Sequence, residues 1–148
     1  EIKSADRDFV EQLQQRIAAE GLASRIHFLG KLPFEQLPRW FAAVDVVCAL
    51  SRNEGFGLTV LEAMASGTAV VASKAGAWPD ILGTHEAGQL VPCGDVDATA
   101  QSLQYLLSDT SYRAKCAANG LVGVARDYTV QREATALVDV ARTLAERD

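Results

Sequence analysis

Residues 44–73 read VDVVCALSRNEGFGLTVLEAMASGTAVVAS, in which two apolar runs flank a polar, glycine-containing loop and a short helix-length segment. The run at 44–50 is rich in β-branched residues, which is the composition of a strand buried on both faces. Residues 58–66 have the length of a short helix that Gly67 would end, and 68–73 again indicates a buried strand. This strand–helix–strand order is the repeating unit of parallel α/β sheets and decides the fold class.

The rest of the chain continues the alternation. The predicted fold is therefore α/β, a Rossmann-like doubly wound, mainly parallel sheet with helices on both faces. Because the first clear element is a helix, we expect one or two further strands upstream of Glu1. The remaining predicted elements are helices over 4–20, 34–44, 95–109, 110–127 and 130–147, short strands over 25–30 and 88–92, and a loop with about one helical turn over 74–82.

Composition excludes some classes of function. The chain has 148 residues, the size of one domain, and its 14 basic against 19 acidic residues give a net charge of −5. A nucleic-acid partner is not expected from an acidic chain. The three cysteines have no paired spacing, which is typical of reduced thiols in a cytoplasmic protein, and Cys48 is expected in the core. No apolar run approaches the roughly 18 residues of a membrane span.

Two loops follow predicted strands, at residues 51–57 and 74–78, and parallel sheets bind ligands at the carboxyl ends of their strands. Gly55 and Gly57 allow close approach of the backbone to a ligand. The helix that begins next presents free N–H groups and the positive end of its dipole, which suits phosphate. The alternative is a turn that needs its glycines for geometry alone.

Glu62 is the only charged residue between Gly55 and Ser73. With Thr59 and Ser66 it forms a narrow polar stripe on a helix that is otherwise apolar, so we expect Glu62 to be buried and to face the crevice. A buried carboxylate needs a partner, and two vicinal ribose hydroxyls would satisfy it. An ion pair with a core Lys or Arg is the alternative.

Glu54 lies just before the Gly-Phe-Gly sequence, where the alternative is a solvated loop carboxylate. The order carboxylate, phosphate-binding loop, carboxylate matches a nucleotide diphosphate sugar, which has hydroxyls at both ends. A dinucleotide motif is excluded because Val60 occupies the position of its third glycine. There is no Walker A loop, and His27 and His85 lie in unrelated contexts that do not indicate a zinc site.

The sequence EGFGLTVLE at 54–62 resembles the E-x7-E signature of retaining GT-B glycosyltransferases of family four. The segments 25–51, 63–82 and 87–103 are similar to the same family. The resemblance covers about residues 5–130 and implies one half of a GT-B fold, the carboxyl-terminal nucleotide-sugar domain. It implies a donor-binding domain at 1–129, truncated at its amino terminus, and an amphipathic helix at 130–148 that packs on it or crosses to an amino-terminal domain.

The resemblance also implies a role for each matching residue. Glu54 is the catalytic candidate and holds hydroxyls of the donor sugar, and Glu62 binds the ribose. No metal and no cofactor are expected. The residues expected along the sugar and diphosphate are Gly55, Phe56, Gly57, Leu58 and Thr59, and the candidate crevice-lining residues are Ser51, Lys74 and Gly76.

The function implied is transfer of a hexosyl group, with mannose from GDP-mannose as the expected example, in the synthesis of lipopolysaccharide core or another cell-envelope glycan. The acceptor, a glycan or glycolipid, would bind an amino-terminal domain outside these residues, with the whole enzyme associated with the inner face of the cytoplasmic membrane. The 148 residues by themselves are expected to be inactive and to self-associate. A non-catalytic nucleotide or sugar-phosphate binding module and an interaction scaffold are the alternatives.

Overall fold

The computed structural model describes the backbone of residues 4–145 and the side chains of residues 7–144. It forms two compact units, Glu1–Phe34 and Glu35–Asp148. The end of the last predicted helix, at 146–147, lies outside the described residues. No helix in the described part of the chain is long and apolar enough to cross a membrane.

The first unit contains helix α1, Ser4–Ala19, as predicted. It ends before Gly21, whose φ of 69° is the left-handed conformation that glycine adopts readily at helix ends. The predicted strand at 25–30 is wrong, because these residues join no ladder among the residues described. Ile26 and Phe28 are 40% and 50% exposed. A strand is stable only when it pairs with another strand, and no described strand pairs with this apolar run.

The second unit contains a three-stranded parallel sheet in the order β1-β2-β3. Its strands are β1 (Val46–Ala49), β2 (Ala69–Ser73) and β3 (Gly88–Val91). After a 3-10 turn at Phe34–Gln36, its helices are α2 (Leu37–Ala42), α3 (Leu58–Ala65), α4 (Trp78–His85), α5 (Val96–Ser108), α6 (Thr110–Asp127) and α7 (Val130–Ala145).

Helices cover both faces of the sheet, which confirms the predicted α/β class. Helices α3 and α4 contribute Met64 and Trp78 to one apolar core, and α6 also packs on α3. On the opposite face, Leu106 from α5 and Cys116 from α6 pack on Val71. All five residues of β2 are buried, because β2 lies between β1 and β3 and helices cover both faces of the sheet.

Strand β1 differs from its prediction. Val46 and Val47 are half-buried and Cys48 is exposed, so β1 is not buried on both faces and Cys48 is not a core residue. The reason is its place in the described sheet, where β1 is an edge strand that pairs with β2 alone.

The segment predicted as a loop with one helical turn contains helix α4. Pro79 lies in the first turn of this helix, where its fixed φ is favourable and no backbone hydrogen bond is lost. The sequence predicts that Pro38 disturbs the first part of the helix at 34–44, but Pro38 occupies the corresponding place in the first turn of α2, where it is tolerated.

Candidate functional site

The carboxyl-terminal edge of the sheet brings three loops together. They are the Gly-Phe-Gly loop (residues 51–57) after β1, the Gly76 loop (74–77) after β2, and residues 92–95 after β3. The Ser73 hydroxyl donates to the Ser51 carbonyl over 2.5 Å, and the Cys93 thiol lies 3.4 Å from the Lys74 carbonyl. Parallel strand ends therefore place the candidate residues at one edge, as the sequence predicted.

The Gly76 loop supports the Gly-Phe-Gly loop directly. The amide of Ala77 donates to the Gly55 carbonyl over 3.4 Å. Gly76 has a φ of 51°, and a Cβ there would overlap the carbonyl oxygen of Glu54. A larger residue at position 76 would push the Glu54 backbone away. Gly76 thus shapes the crevice through its lack of a side chain, while the Lys74 side chain is exposed at its border.

Trp78 holds the other end of the Gly-Phe-Gly loop. Its indole Nε1 donates to the Gly57 carbonyl over 3.2 Å, and the ring is 2% exposed. Gly57 has a φ of 80°, and a Cβ there would overlap the indole. Two independent requirements, left-handed backbone and contact with the ring, therefore select glycine at position 57.

The Glu54 carboxylate is half-buried and turned toward its own loop. Its Oε1 accepts the Gly55 amide over 3.1 Å, and its Oε2 lies 3.5 Å from the Ser51 hydroxyl, which donates to it. Both donors belong to the same loop. A carboxylate can accept more hydrogen bonds than these two, so Glu54 has acceptor capacity left for ligand hydroxyls.

The amino terminus of α3 follows the loop. Its cap residue is Gly57, and no side chain caps its free N–H groups. Leu58 and Thr59 are both exposed, Leu58 at 61%. Uncapped amides at a helix start favour an anionic ligand, and the helix dipole adds to the attraction.

Glu62 is half-buried rather than buried, so its predicted burial is wrong. On the same stripe Thr59 is exposed, and Ser66, the cap residue that ends α3, is half-buried, so the core does not enclose these polar side chains. No Lys or Arg among the described side chains forms an ion pair with Glu62. The alternative of a core ion pair is therefore not observed.

Two cavities flank the Gly-Phe-Gly loop. One, of about 350 Å³, lies between the strand ends and the start of α5 and is mostly apolar, with Ser51, Arg52 and Asp95 at its border. Asp95 caps α5 by accepting the Ala98 amide over 2.9 Å, which agrees with the helix start predicted at residue 95. The other, of about 600 Å³, lies between Phe56 and the α6–α7 junction. In the described part of the chain, no group of three His, Cys, Asp or Glu residues converges as a metal site would require.

Sequence reasoning missed three residues beside the loop. The loop predicted over 74–82 includes Trp78, which gives that residue no distinct signal. Cys93 follows β3, whose end reaches the same edge as those of β1 and β2. Applying the strand-end rule to all three strands would have found Cys93. Tyr128, whose ring lies 6.4 Å from that of Phe56, carries no local signal because the contact joins residues far apart in sequence.

The sequence profile described as "Glycosyl transferases group 1" matches residues 6–121 of this chain. The chain belongs to the glycosyl transferases group 1 family. This confirms the resemblance drawn from the sequence around Glu54 and Glu62, and places the chain among glycosyltransferase domains.

Individual relatives of this family agree. The lipopolysaccharide core biosynthesis mannosyltransferase LpcC of Rhizobium leguminosarum bv. viciae is 39% identical over 136 residues, which is 92% of this chain and 38% of that protein. LpsB of Rhizobium meliloti, described likewise, is 36% identical over 92% of this chain and 39% of its own length. The chain thus spans about two fifths of these relatives.

Two solved structures agree on the fold. The C-terminal domain of the family protein LpcC from Francisella tularensis is 41% identical, with a TM-score of 0.80 over 86% of this chain and 66% of that one. Anabaena Alr3699/HepE, solved in complex with UDP, is 30% identical, with a TM-score of 0.81 over 97% of this chain and 38% of its own. The chain is therefore a carboxyl-terminal half of the GT-B type.

Proposed function

We propose that this chain binds a nucleotide diphosphate sugar at the carboxyl-terminal edge of its sheet, as the donor domain of a glycosyltransferase. The observation that carries this is the order of groups that follow β1. Glu54, a glycine loop anchored by Trp78, the uncapped start of α3 and the half-buried Glu62 follow one another along the chain. Family membership and the UDP complex of a related protein support the proposal.

Each of these groups fits one part of such a donor. Glu54 would accept hydroxyls of the sugar, since its two observed donors belong to its own loop. The Leu58 and Thr59 amides would donate to the diphosphate, aided by the dipole of α3. Glu62, one helical turn further along, would accept the two ribose hydroxyls and replace the partner that it lacks among the described side chains.

The proposed reaction of the whole protein is hexosyl transfer, with GDP-mannose as donor and retention of configuration. The bond between the anomeric carbon and the diphosphate oxygen breaks, a bond to an acceptor hydroxyl oxygen forms, and GDP and the proton of that hydroxyl are released. The mannosyl specificity rests on the two relatives described as lipopolysaccharide core mannosyltransferases. The corresponding acceptor is a cell-envelope glycan or glycolipid.

We further propose that donor binding needs no metal ion. The uncapped amides of α3 and the positive end of its dipole would offset part of the diphosphate charge. Affinity measured with EDTA and with added Mg²⁺ should then be equal. A large gain in affinity on adding Mg²⁺ would contradict this.

The rest of the longer protein would provide the acceptor site and complete the catalytic centre, so these 148 residues alone should show no transfer. A glycolipid acceptor would place the enzyme in the cytoplasm at the inner membrane face. Helix α7 has an exposed apolar face that includes Leu137 and Val140, at 66% and 58% exposure, and could drive self-association of this chain. Sedimentation over a concentration series, with Leu137→Glu as the variant expected to remain monomeric, tests this.

Calorimetric titration with GDP, GDP-mannose, UDP and UDP-glucose tests the central proposal. We expect Glu54→Ala to weaken binding of the nucleotide sugar by about tenfold while leaving that of the nucleotide unchanged, since it removes charge-assisted hydrogen bonds. Glu62→Ala should weaken both by a similar factor. Glu11→Ala, which removes an exposed carboxylate of α1, is the matched control and should change neither.

The outcomes separate the alternatives. Binding that ignores the sugar and ignores Glu54→Ala would indicate a non-catalytic nucleotide-binding module. If neither this chain nor the longer protein binds any one of the four ligands, the proposal is wrong and an interaction scaffold is favoured.

A further inference from the structure

The Gly-Phe-Gly loop needs support from outside itself. Glycines on either side of Phe56 leave its backbone with wide conformational freedom. The Gly55 and Gly57 carbonyls are held by the Ala77 amide and the Trp78 indole, which fix the backbone from the side of α4. Neither bond orients the Phe56 side chain, which is 55% exposed.

The Tyr128 ring lies beside the Phe56 ring. The two ring centroids are 6.4 Å apart with an interplanar angle of 62°, an edge-to-face arrangement that aromatic rings favour. Tyr128 is the residue that ends α6, and its amide donates to the Val124 carbonyl over 3.0 Å. The backbone of Tyr128 is therefore fixed to the end of a helix.

A second ring contact holds Tyr128 from behind. The His85 imidazole lies 5.8 Å from the Tyr128 ring at 78°, and its own side chain is 4% exposed. Gly123 makes room for the imidazole, because a Cβ there would come within 2.5 Å of it. The rings of His85, Tyr128 and Phe56 thus form a continuous row from the core to the loop.

This row is tied to the junction of α6 and α7. Asp127 lies 3.6 Å from His85 Nε2, accepts hydrogen bonds from Arg126, and lies 3.8 Å from Arg132 in the first turn of α7. A change at the junction would move Asp127 and Tyr128 together. The row provides a physical connection between the start of α7 and the loop that carries Glu54.

We propose that Tyr128 is a positioning residue for the donor loop: its ring holds Phe56, so the placement of Glu54 and Gly57 depends on the α6–α7 junction. This rests on the proposed function as far as the ligand is concerned. The contact between the two rings does not depend on the ligand. It predicts that the Gly-Phe-Gly loop opens more often when the Tyr128 ring is removed. A purely structural Tyr128 would stabilise the core without a specific effect on the loop.

A double-mutant cycle on donor binding gives the first test. Tyr128→Ala should weaken binding of GDP-mannose by about tenfold, the range of one aromatic pair. In a Phe56→Ala background the same change should have no further effect, because Tyr128 acts through Phe56. Full additivity of the two changes would overturn the proposal. Tyr128→Phe should bind as the unchanged chain does, since both ring contacts remain.

Native-state hydrogen exchange without ligand gives the second test. The amides of Gly55 and Ala77, whose hydrogen bonds hold the Gly-Phe-Gly loop, should exchange about tenfold faster in Tyr128→Ala than in the unchanged chain, with the amides of β2 unaffected. Tyr105→Ala, which removes a ring from α5 that packs on Tyr112, is the matched control. If Tyr128→Ala does not fold, Tyr128→Leu keeps the apolar volume and removes the ring.

The two tests separate the possible failures. If the unchanged chain binds no nucleotide sugar, the proposed function fails, and exchange of the loop amides still decides whether Tyr128 holds Phe56. If binding is present but loop exchange is the same in Tyr128→Ala and Tyr105→Ala, the positioning role is wrong and the proposed function stands.

Discussion

Gly55 and Gly57 flank the same phenylalanine but are glycine for different reasons. Gly57 has a left-handed φ and contacts the Trp78 indole, whereas Gly55 has an ordinary φ and open space where a Cβ would lie. The sequence pattern gives both glycines the same expected role. They differ in the structure because Gly57 packs against the buried Trp78 ring and Gly55 does not.

A pair of substitutions tests this difference. Gly57→Ala should lower the free energy of unfolding by about 2 kcal/mol or more, because it adds left-handed strain to steric overlap with Trp78. Gly55→Ala should change it by less than about 0.5 kcal/mol. Chemical denaturation followed by tryptophan fluorescence measures both, and equal effects would contradict the assignment.

Asp127 predicts a pH dependence of stability. The hydrogen bond from Arg126 lowers the pKa of Asp127 below its ordinary value of 3.8, with smaller effects from Arg132 and His85. A lowered pKa in the folded state stabilises the protein above pH 3.8, and this contribution is lost as the pH falls through the folded-state pKa. The Asp127→Asn variant should therefore be less stable than the unchanged chain at neutral pH.

Denaturation at about pH 7 and about pH 3 checks this. The stability difference between the unchanged chain and Asp127→Asn should shrink at the lower pH. Asp97→Asn, which changes an exposed carboxylate in the first turn of α5, is the control. A difference that grows on acidification would show that the sign is wrong.

The three cysteines should differ in their reaction with an alkylating reagent. Cys93 is exposed at the sheet edge and should react first. Cys48 should react more slowly at neutral pH, because partial burial raises the pKa of its thiol. Cys116 is 1% exposed and its pKa is also raised by burial, so it should react only on unfolding. Mass spectrometry of a time course gives the order, and early labelling of Cys116 would contradict it.

At the scale of elements, α6 shows glycines used for packing. The sequence suggests that Gly120 and Gly123 weaken this helix, which nevertheless runs unbroken over Thr110–Asp127. Gly120 lies against Met64 and Ala87, and Gly123 against His85. Close contact with α3, α4 and the start of β3 compensates for the poor helix propensity.

Magnitudes decide the outcome of filling one of these positions. Gly123→Ala gains about 1 kcal/mol of helix propensity but should lose about 1–3 kcal/mol through overlap with His85, so we expect a net loss of stability. Ala118→Gly, at an exposed position of the same helix, should lose about 1 kcal/mol through propensity alone. Urea denaturation compares the two, and a stabilised Gly123→Ala would show that His85 moves freely.

At the scale of the whole molecule, both apolar cores of the sheet are built from residues of the second unit. Their members lie between Phe41 and Tyr128. The predicted boundary between residues 129 and 130 remains a prediction, whereas the two compact units divide between Phe34 and Glu35.

A shortened chain tests how the cores depend on the first unit. Residues 35–148 alone should keep a cooperative thermal transition, because they contain every strand described and both cores. Circular dichroism during heating measures this. A broad, non-cooperative transition would contradict it.

The sequence by itself determined the fold class and the edge of the sheet at which the candidate residues lie. Apolar runs that alternate with helix-length segments predict parallel strands, and the carboxylates and glycines of residues 54–62 mark the candidate site. The helix start at Asp95 was also predicted, because a cap depends on neighbours three residues away.

Tertiary structure alone decided what depends on long-range neighbours. It left β1 at an edge and Cys48 exposed, removed the strand predicted at 25–30, and left Glu62 half-buried. It also joined Phe56 to Tyr128, 72 positions later in the sequence. Periodicity records which face of an element is apolar, but which element covers that face depends on how distant segments pack together.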